Sequence, residues 1–289
     1  MDYVLHILIL AAIYGVLAMS LELVLGRTGL ITLGHAVVYA CGAYSSAVLT
    51  LRFGVSASLG LLAGMALAGA ISCLVALVSL RLHADNFVIA TFGLQVAGHS
   101  ILLNWIGVTQ GPFGMPGIPR PEILGWRLDS SLDFLLLSYG IVGLAAVVLW
   151  RVGFGPLGRL LLAIKEDEVF CRSVGKNVFQ SKLTALVVGS MLAAVSGSIY
   201  AHYATYVDPT TFTVNESILI ISMVIMGGVG RLAGPLLGAA VLVALPEGLR
   251  FVGLPEQLAG NLRQILYGLL LILVLLLRPR GLIGRYAID

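Results

Sequence analysis

Polar positions are sparse along this chain, and the apolar stretches between them set the reading. Phe53 to Leu80 contains no Asp, Glu, Lys or Arg; Leu183 to Val207 adds only His202, and Thr28 to Leu51 only His35. Each exceeds the ~20 residues that cross a hydrocarbon core of ~30 Å. Nine spans are predicted: Tyr3 to Leu25, Leu30 to Leu51, Ser56 to Leu80, Phe87 to Ile106, Leu132 to Trp150, Leu183 to Tyr206, Ser217 to Gly230, Leu232 to Pro246 and Leu262 to Leu277. The last three are short, so they are expected to tilt, to extend past flanking charges that snorkel, or to break within the membrane. The fold class is all-α, a polytopic helical membrane protein of about nine (8–10) spans in a single domain over residues 1–289.

Composition sharpens this reading. Charged residues are 11% of the 289-residue chain and hydrophobic residues 59%, with a mean hydropathy of +1.02. An ordinary soluble domain carries about 25% charge. The first basic residue is Arg27, so no positive region precedes the first apolar stretch and no cleavable signal is expected. Cys41, Cys73 and Cys171 show no metal-ligand spacing and read as reduced packing residues. No metal site and no nucleic-acid partner are expected; the bilayer is the solvent.

Orientation follows from Lys and Arg. With the densest charged segment (151–182) and the tail RPRGLIGRYAID inside, Arg27, Arg81, Arg231 and most of the other basic residues fall on the cytoplasmic side. The start of the chain then lies outside. The Gly- and Pro-rich connection 107–131 is an outer loop, either a plain connector or a landing site for an external partner. Glycine is abundant, with 35 residues, and Gly230, Gly234 and Gly238 fall four apart after Gly227, Gly228 and their neighbours in GGVG. That spacing suits close helix packing or a hinge between two short spans.

Within 151–182, acids at Glu166, Asp167 and Glu168, a base at Arg172 and Gly175 at the end predict a short helix from Glu166 to Val174 lying outside the membrane. Phe170 on this helix either anchors in a groove of another protein or folds back on the membrane domain.

The segment GPLGRLLLAIKEDEVFCRSVGKNVFQSKL resembles the cytoplasmic loop of the membrane subunits of branched-chain amino-acid ABC importers. GRTGLITLGHAVVYACGAY, TQGPFGMPGIP, SGSIYAHY, SILIISMVIMGGVGRLAGPLLGAA, LPEGLR and RPRGLIG resemble further segments of that family, so the likeness runs along the whole chain. Two departures stand out: Phe170 and Cys171 replace small residues, and LHADNF at 82–87 replaces a Gly followed by Tyr-Phe. The resemblance implies that Glu166, Asp167, Glu168 and Gly175 form a coupling helix that docks on an ATP-binding subunit, with Phe170, from its place on that helix, as the candidate anchor. It implies a multi-pass protein of the bacterial inner membrane beside a second permease subunit, a different homologous chain or another copy of this one. Two ATPases that hold ATP and Mg, and a periplasmic solute-binding protein, complete the complex; this chain carries no cofactor.

The residues themselves bear on the mechanism. No GxxxxGK[ST] loop is present, so ATP is hydrolysed elsewhere and the chain is not itself an enzyme. An ion-coupled transporter is the alternative and needs ionisable groups at mid-membrane. Glu22, Glu216 and Glu247 lie near the ends of predicted spans, leaving His35 and His202, whose commoner role is an interhelical hydrogen bond. Tyr44, Thr91, Gln95 and Ser222 are candidate linings of a weakly polar path, or ordinary interhelical hydrogen bonds. The cargo is left open between branched-chain amino acids, other amino acids, amides such as urea, and aromatic acids.

Overall fold

The computed structural model describes residues 2–80, 84–123, 126–128, 130–250, 256–278 and 281–284. Each apolar run becomes a helix because lipid offers its backbone no hydrogen-bonding partner. Six helices are long and apolar enough to cross a membrane: α1 (Asp2–Thr28), α2 (His35–Phe53), α3 (Ala57–Ser79), α4 (Ala84–Asn104), α6 (Ser131–Gly153) and α9 (Val178–Ala204). α10 (Val214–Gly227), α11 (Ala233–Arg250) and α12 (Glu256–Leu277) follow, with shorter apolar stretches at Val214–Gly227, Ala233–Leu245 and Ile265–Val274. The nine predicted spans correspond to these nine helices. The side chain of Glu247 and residues Arg81, Arg280 and Arg285 lie outside what is described.

Helices α1, α2 and α9 form the centre. Leu17, Leu21, Tyr39, Ala43, Ala193 and Ala194 share one buried cluster. α1 and α9 run antiparallel, with the Ser196 hydroxyl donating to the Ile13 carbonyl at 2.9 Å and Gly189 against Ser20. α2 crosses α9 at backbone contact: a Cβ on Gly42 would lie 1.9 Å from the Ala194 carbonyl oxygen, and one on Gly197 2.0 Å from that of Tyr39. α3, α4 and α6 are peripheral, and Leu59, Leu74, Ile89, Leu136 and Leu144 are exposed on their outer faces. In a membrane these faces meet lipid.

The second predicted span needs correction. Residues 29–34 are not helical, and α2 begins only at His35. Gly29 adopts φ +73°, which turns the chain out of α1. The outer loop is ordered: β1 (Met115–Pro116) pairs antiparallel with β4 (Tyr206–Val207), and β2 (Glu122–Ile123) with β3 (Trp126–Arg127), while the one-turn α5 (Ile106–Thr109) precedes them. Arg52 donates to the carbonyls of Gly107 at 2.7 Å and Val108 at 3.0 Å, tying this loop to the end of α2.

The charged segment holds two helices, α7 (Pro156–Glu166) and α8 (Glu168–Ser173). Glu166 therefore closes one helix rather than opening the next. Asp167 makes the break: its backbone is extended and its Oδ1 accepts the Phe170 N–H at 2.8 Å as an N-cap.

Candidate functional site

Two places in the fold concentrate polar chemistry. One lies deep in the bundle, where α2 and α10 both begin; the other is the α7–α8 layer.

The start of α2 lies inside the bundle, and its free N–H groups find partners within the protein. Thr91 Oγ1 accepts from Leu33 N–H at 3.2 Å, Ser217 Oγ from Ala36 at 3.1 Å and Gln95 Oε1 from Val37 at 3.0 Å. The Gln95 amide also donates to the Phe212 carbonyl at 2.9 Å. Gln95 is fully buried near the midpoint of the 21-residue α4, so both helix starts lie near mid-membrane. Each such backbone group left alone would cost several kcal/mol. Thr91 and Gln95, candidate path residues by sequence, thus serve as interhelical caps here. Ser222 bonds its own helix, donating to the Ile218 carbonyl at 2.8 Å. Tyr44 is buried, with its ring edge-on to Phe212 and its hydroxyl without a partner.

His35 and His202 both make interhelical contacts, whereas His99 on α4 has a buried Nδ1 without a hydrogen-bond partner. His35 Nε2 meets Ser20 Oγ at 2.9 Å; His202 meets Ser46 Oγ at 2.8 Å and the Pro119 carbonyl at 2.7 Å.

The glutamates correct the sequence reading. Glu216 sits in the first turn of α10, but that turn is not at a membrane surface: its Oε1 accepts from the Tyr14 hydroxyl at 2.6 Å, near the midpoint of the 27-residue α1. Glu22 is 2% exposed and accepts the Gly230 N–H at 2.8 Å, with its second oxygen buried and unpartnered. Both lie inside the bundle. The signal that could have found them is a lone acid within an otherwise uncharged run.

Gly227, Gly234 and Gly238 sit where α10 and α11 touch: added Cβ atoms would fall 1.9, 2.2 and 1.9 Å from the carbonyl oxygens of Gly234, Gly228 and Met223. Gly228 and Gly230 carry φ values of +96° and +95°, which shape the turn between the helices. The N–H groups of Leu282 and Ile283 donate to the Met226 and Gly227 carbonyls at 2.9 and 3.1 Å, so the described part of the tail closes the end of α10.

At the α7–α8 layer, Cys171 is buried with Ile164 and Val178, while Val169, Phe170 and Val174 point outward, Phe170 at 61% exposure. Glu168 braces α8 to α9, pairing with Arg172 on its own helix and with Lys182 Nζ at 2.6 Å. Burial alone would raise the Glu168 carboxyl, but the Lys182 and Arg172 charges outweigh it and hold it below the usual carboxylate range. Gly175 turns the chain with φ +76° beyond α8. Beside it opens a cleft of about 340 Å³ lined by Leu80, Glu168, Arg172, Val178, Phe179 and Lys182. Arg27, stacked over the Phe154 ring at 4.1 Å, and Gly29, against the Lys165 side chain, connect this layer to α1.

Known proteins resemble this chain along most of its length. The permease protein LivM of the high-affinity branched-chain amino acid transport system of Escherichia coli (strain K12) is 31% identical over 95% of this chain and 68% of its own length. LivH of the same kind of system in Salmonella typhimurium is 25% identical over 97% of this chain and 94% of its own. The ribose import permease protein RbsC of Escherichia coli (strain K12) is 25% identical over 86% of this chain and 78% of its own. No solved structure matches. The family model described as "Branched-chain amino acid transport system / permease component" matches residues 3–275, and the chain belongs to that family.

Proposed function

We propose that this chain is a translocation subunit of an ATP-driven importer that carries branched-chain or related amino acids across the bacterial inner membrane. The observation that supports it most is α8: an exposed apolar residue, Phe170, on a helix tied to a transmembrane helix by the Glu168–Lys182 pair and by Cys171 packed against Val178. Such a knob fits a groove in a soluble partner, and α9 would pass its motion to α1, α2 and α3, against which it packs. On this reading two ATP-binding subunits supply ATP and Mg below α8, a second homologous permease faces this one, and a binding protein delivers solute to the outer loop. The start of the chain lies outside and the tail inside.

Glu22 and Glu216 within the bundle leave ion-coupled transport as the second reading. Proteoliposomes holding the full complex and binding protein separate the two. Uptake of L-leucine should require ATP on the α8 side and persist when proton and sodium gradients are collapsed. Uptake driven by a gradient without ATP, and abolished by a protonophore, would overturn the ATP-driven reading.

A further inference from the structure

Glu216 is a carboxylate in the middle of an apolar bundle, and its surroundings are unusual for a structural acid. Its hydrogen-bond partner is the neutral hydroxyl of Tyr14 at 2.6 Å, and no Lys, Arg or His ion pair with it exists among the described residues. Next to it lies an aromatic cluster. The Tyr14 and Tyr39 rings are 6.4 Å apart, Tyr39 and Tyr200 5.8 Å, and Tyr39 and Phe212 5.1 Å. The Tyr39 hydroxyl is fully buried, has no partner, and lies within electrostatic reach of Glu216 and Tyr200.

A fully buried hydroxyl without a partner costs about 1–3 kcal/mol. A carboxylate inside the bundle with one neutral donor and no cation beside it also carries a desolvation cost. Packing alone explains neither group. Together they offer what an alkylammonium needs: a negative acceptor, a neutral oxygen acceptor, and ring faces whose quadrupoles attract positive charge. Glu216 itself is half-buried, and its neighbours Asn215 and Ile218 on α10 are exposed, so the aromatic cluster borders an open side of that helix.

We propose that Glu216, with Tyr14, Tyr39 and Tyr200, forms a mid-membrane subsite for the ammonium group of the transported amino acid. This deepens the amino-acid reading above and rests on it. Solutes lacking a protonated amine gain nothing from the subsite, so it discriminates amino acids from the corresponding keto acids, alcohols and neutral sugars.

The test uses the assembled complex in proteoliposomes, with L-leucine as the probe. Glu216→Gln keeps an oxygen for the Tyr14 hydroxyl and removes only the charge. L-Leucine uptake should fall more than tenfold, while the amount of assembled complex stays at the wild-type level. Tyr39→Phe removes only the unpartnered hydroxyl and should raise the apparent KM severalfold with little change in maximal rate. Uptake by Glu216→Gln within twofold of wild type, or a loss that merely tracks loss of assembled complex, overturns the subsite while leaving the importer reading standing. A wild-type complex that hydrolyses ATP and takes up no amino acid overturns the substrate reading and the subsite with it.

Discussion

The start of α2 and the start of α8 solve the same problem with opposite means. Both helices open with N–H groups that lack intrahelical partners. α8 is capped from within its own sequence by Asp167, one residue ahead of the helix, because water is at hand for everything left over. α2 has one local contact, Thr32 Oγ1 accepting from Gly34 N–H at 3.2 Å, and is otherwise capped by Thr91, Gln95 and Ser217 from α4 and α10, far away in sequence. A helix end in water is a local matter, whereas one inside a membrane commits the tertiary fold. Changes at the mid-membrane crossing should therefore damage the whole bundle, and changes at α8 should spare the fold and strike only contact with a partner.

The largest effect is expected where backbone meets backbone. Gly238→Leu would force a side chain into the Met223 carbonyl, 1.9 Å from where its Cβ must sit, and separate α10 from α11. Little folded protein should be recovered from membranes in detergent, as read by size-exclusion chromatography; recovery at the wild-type level would mean that this contact is loose.

Gln95→Leu should come next. It fills similar space but strands the Val37 N–H and the Phe212 carbonyl, each at a cost of about 1–3 kcal/mol. Thermal unfolding of the purified chain should shift down by several degrees. An unchanged midpoint would show that other groups satisfy the crossing.

The smallest effect is expected at the surface. Lys182→Met removes the ion pair with Glu168, whose side chain is 34% exposed, so the loss should stay below about 1 kcal/mol. The sign with pH follows from the lowered Glu168 carboxyl. Its contribution is full above the ordinary value of 4.5 and is lost as pH falls below it through the lowered pKa. Wild type and Lys182→Met should thus converge in stability in acid and differ slightly at neutral pH; a gap that persists at low pH would assign the stabilisation to something other than charge.

This contrast also explains what could be read from the sequence. The nine helices follow from apolar length, and the helix signals around Asp167, Arg172 and Gly175 are local, so most of the α8 layer was legible. The one error there, opening the helix at Glu166, came from three consecutive acids of which only Asp167 takes the cap geometry. At mid-membrane the deciding bonds join residues 58 to 202 positions apart, such as Val37 with Gln95 and Tyr14 with Glu216. No local pattern encodes those pairs. The run Thr28-Gly29-Leu30-Ile31-Thr32-Leu33-Gly34 did carry a trace of the break, since Thr and Gly punctuate an otherwise apolar stretch. Glu216 looked peripheral because the start of its short helix was equated with the membrane surface.

If α8 carries the contact to an ATP-hydrolysing partner while the fold is held elsewhere, a change confined to its exposed face should uncouple without unfolding. ATP hydrolysis by the reconstituted complex, with and without binding protein, tests it in a Phe170→Asp variant. That change places a charge on the exposed face of α8 and touches none of the buried contacts that hold the helix. The account predicts that the permease inserts and folds normally while stimulation of ATP hydrolysis by the binding protein is lost, since a charge buried in a partner's groove costs several kcal/mol. Stimulation at the parental level would contradict it.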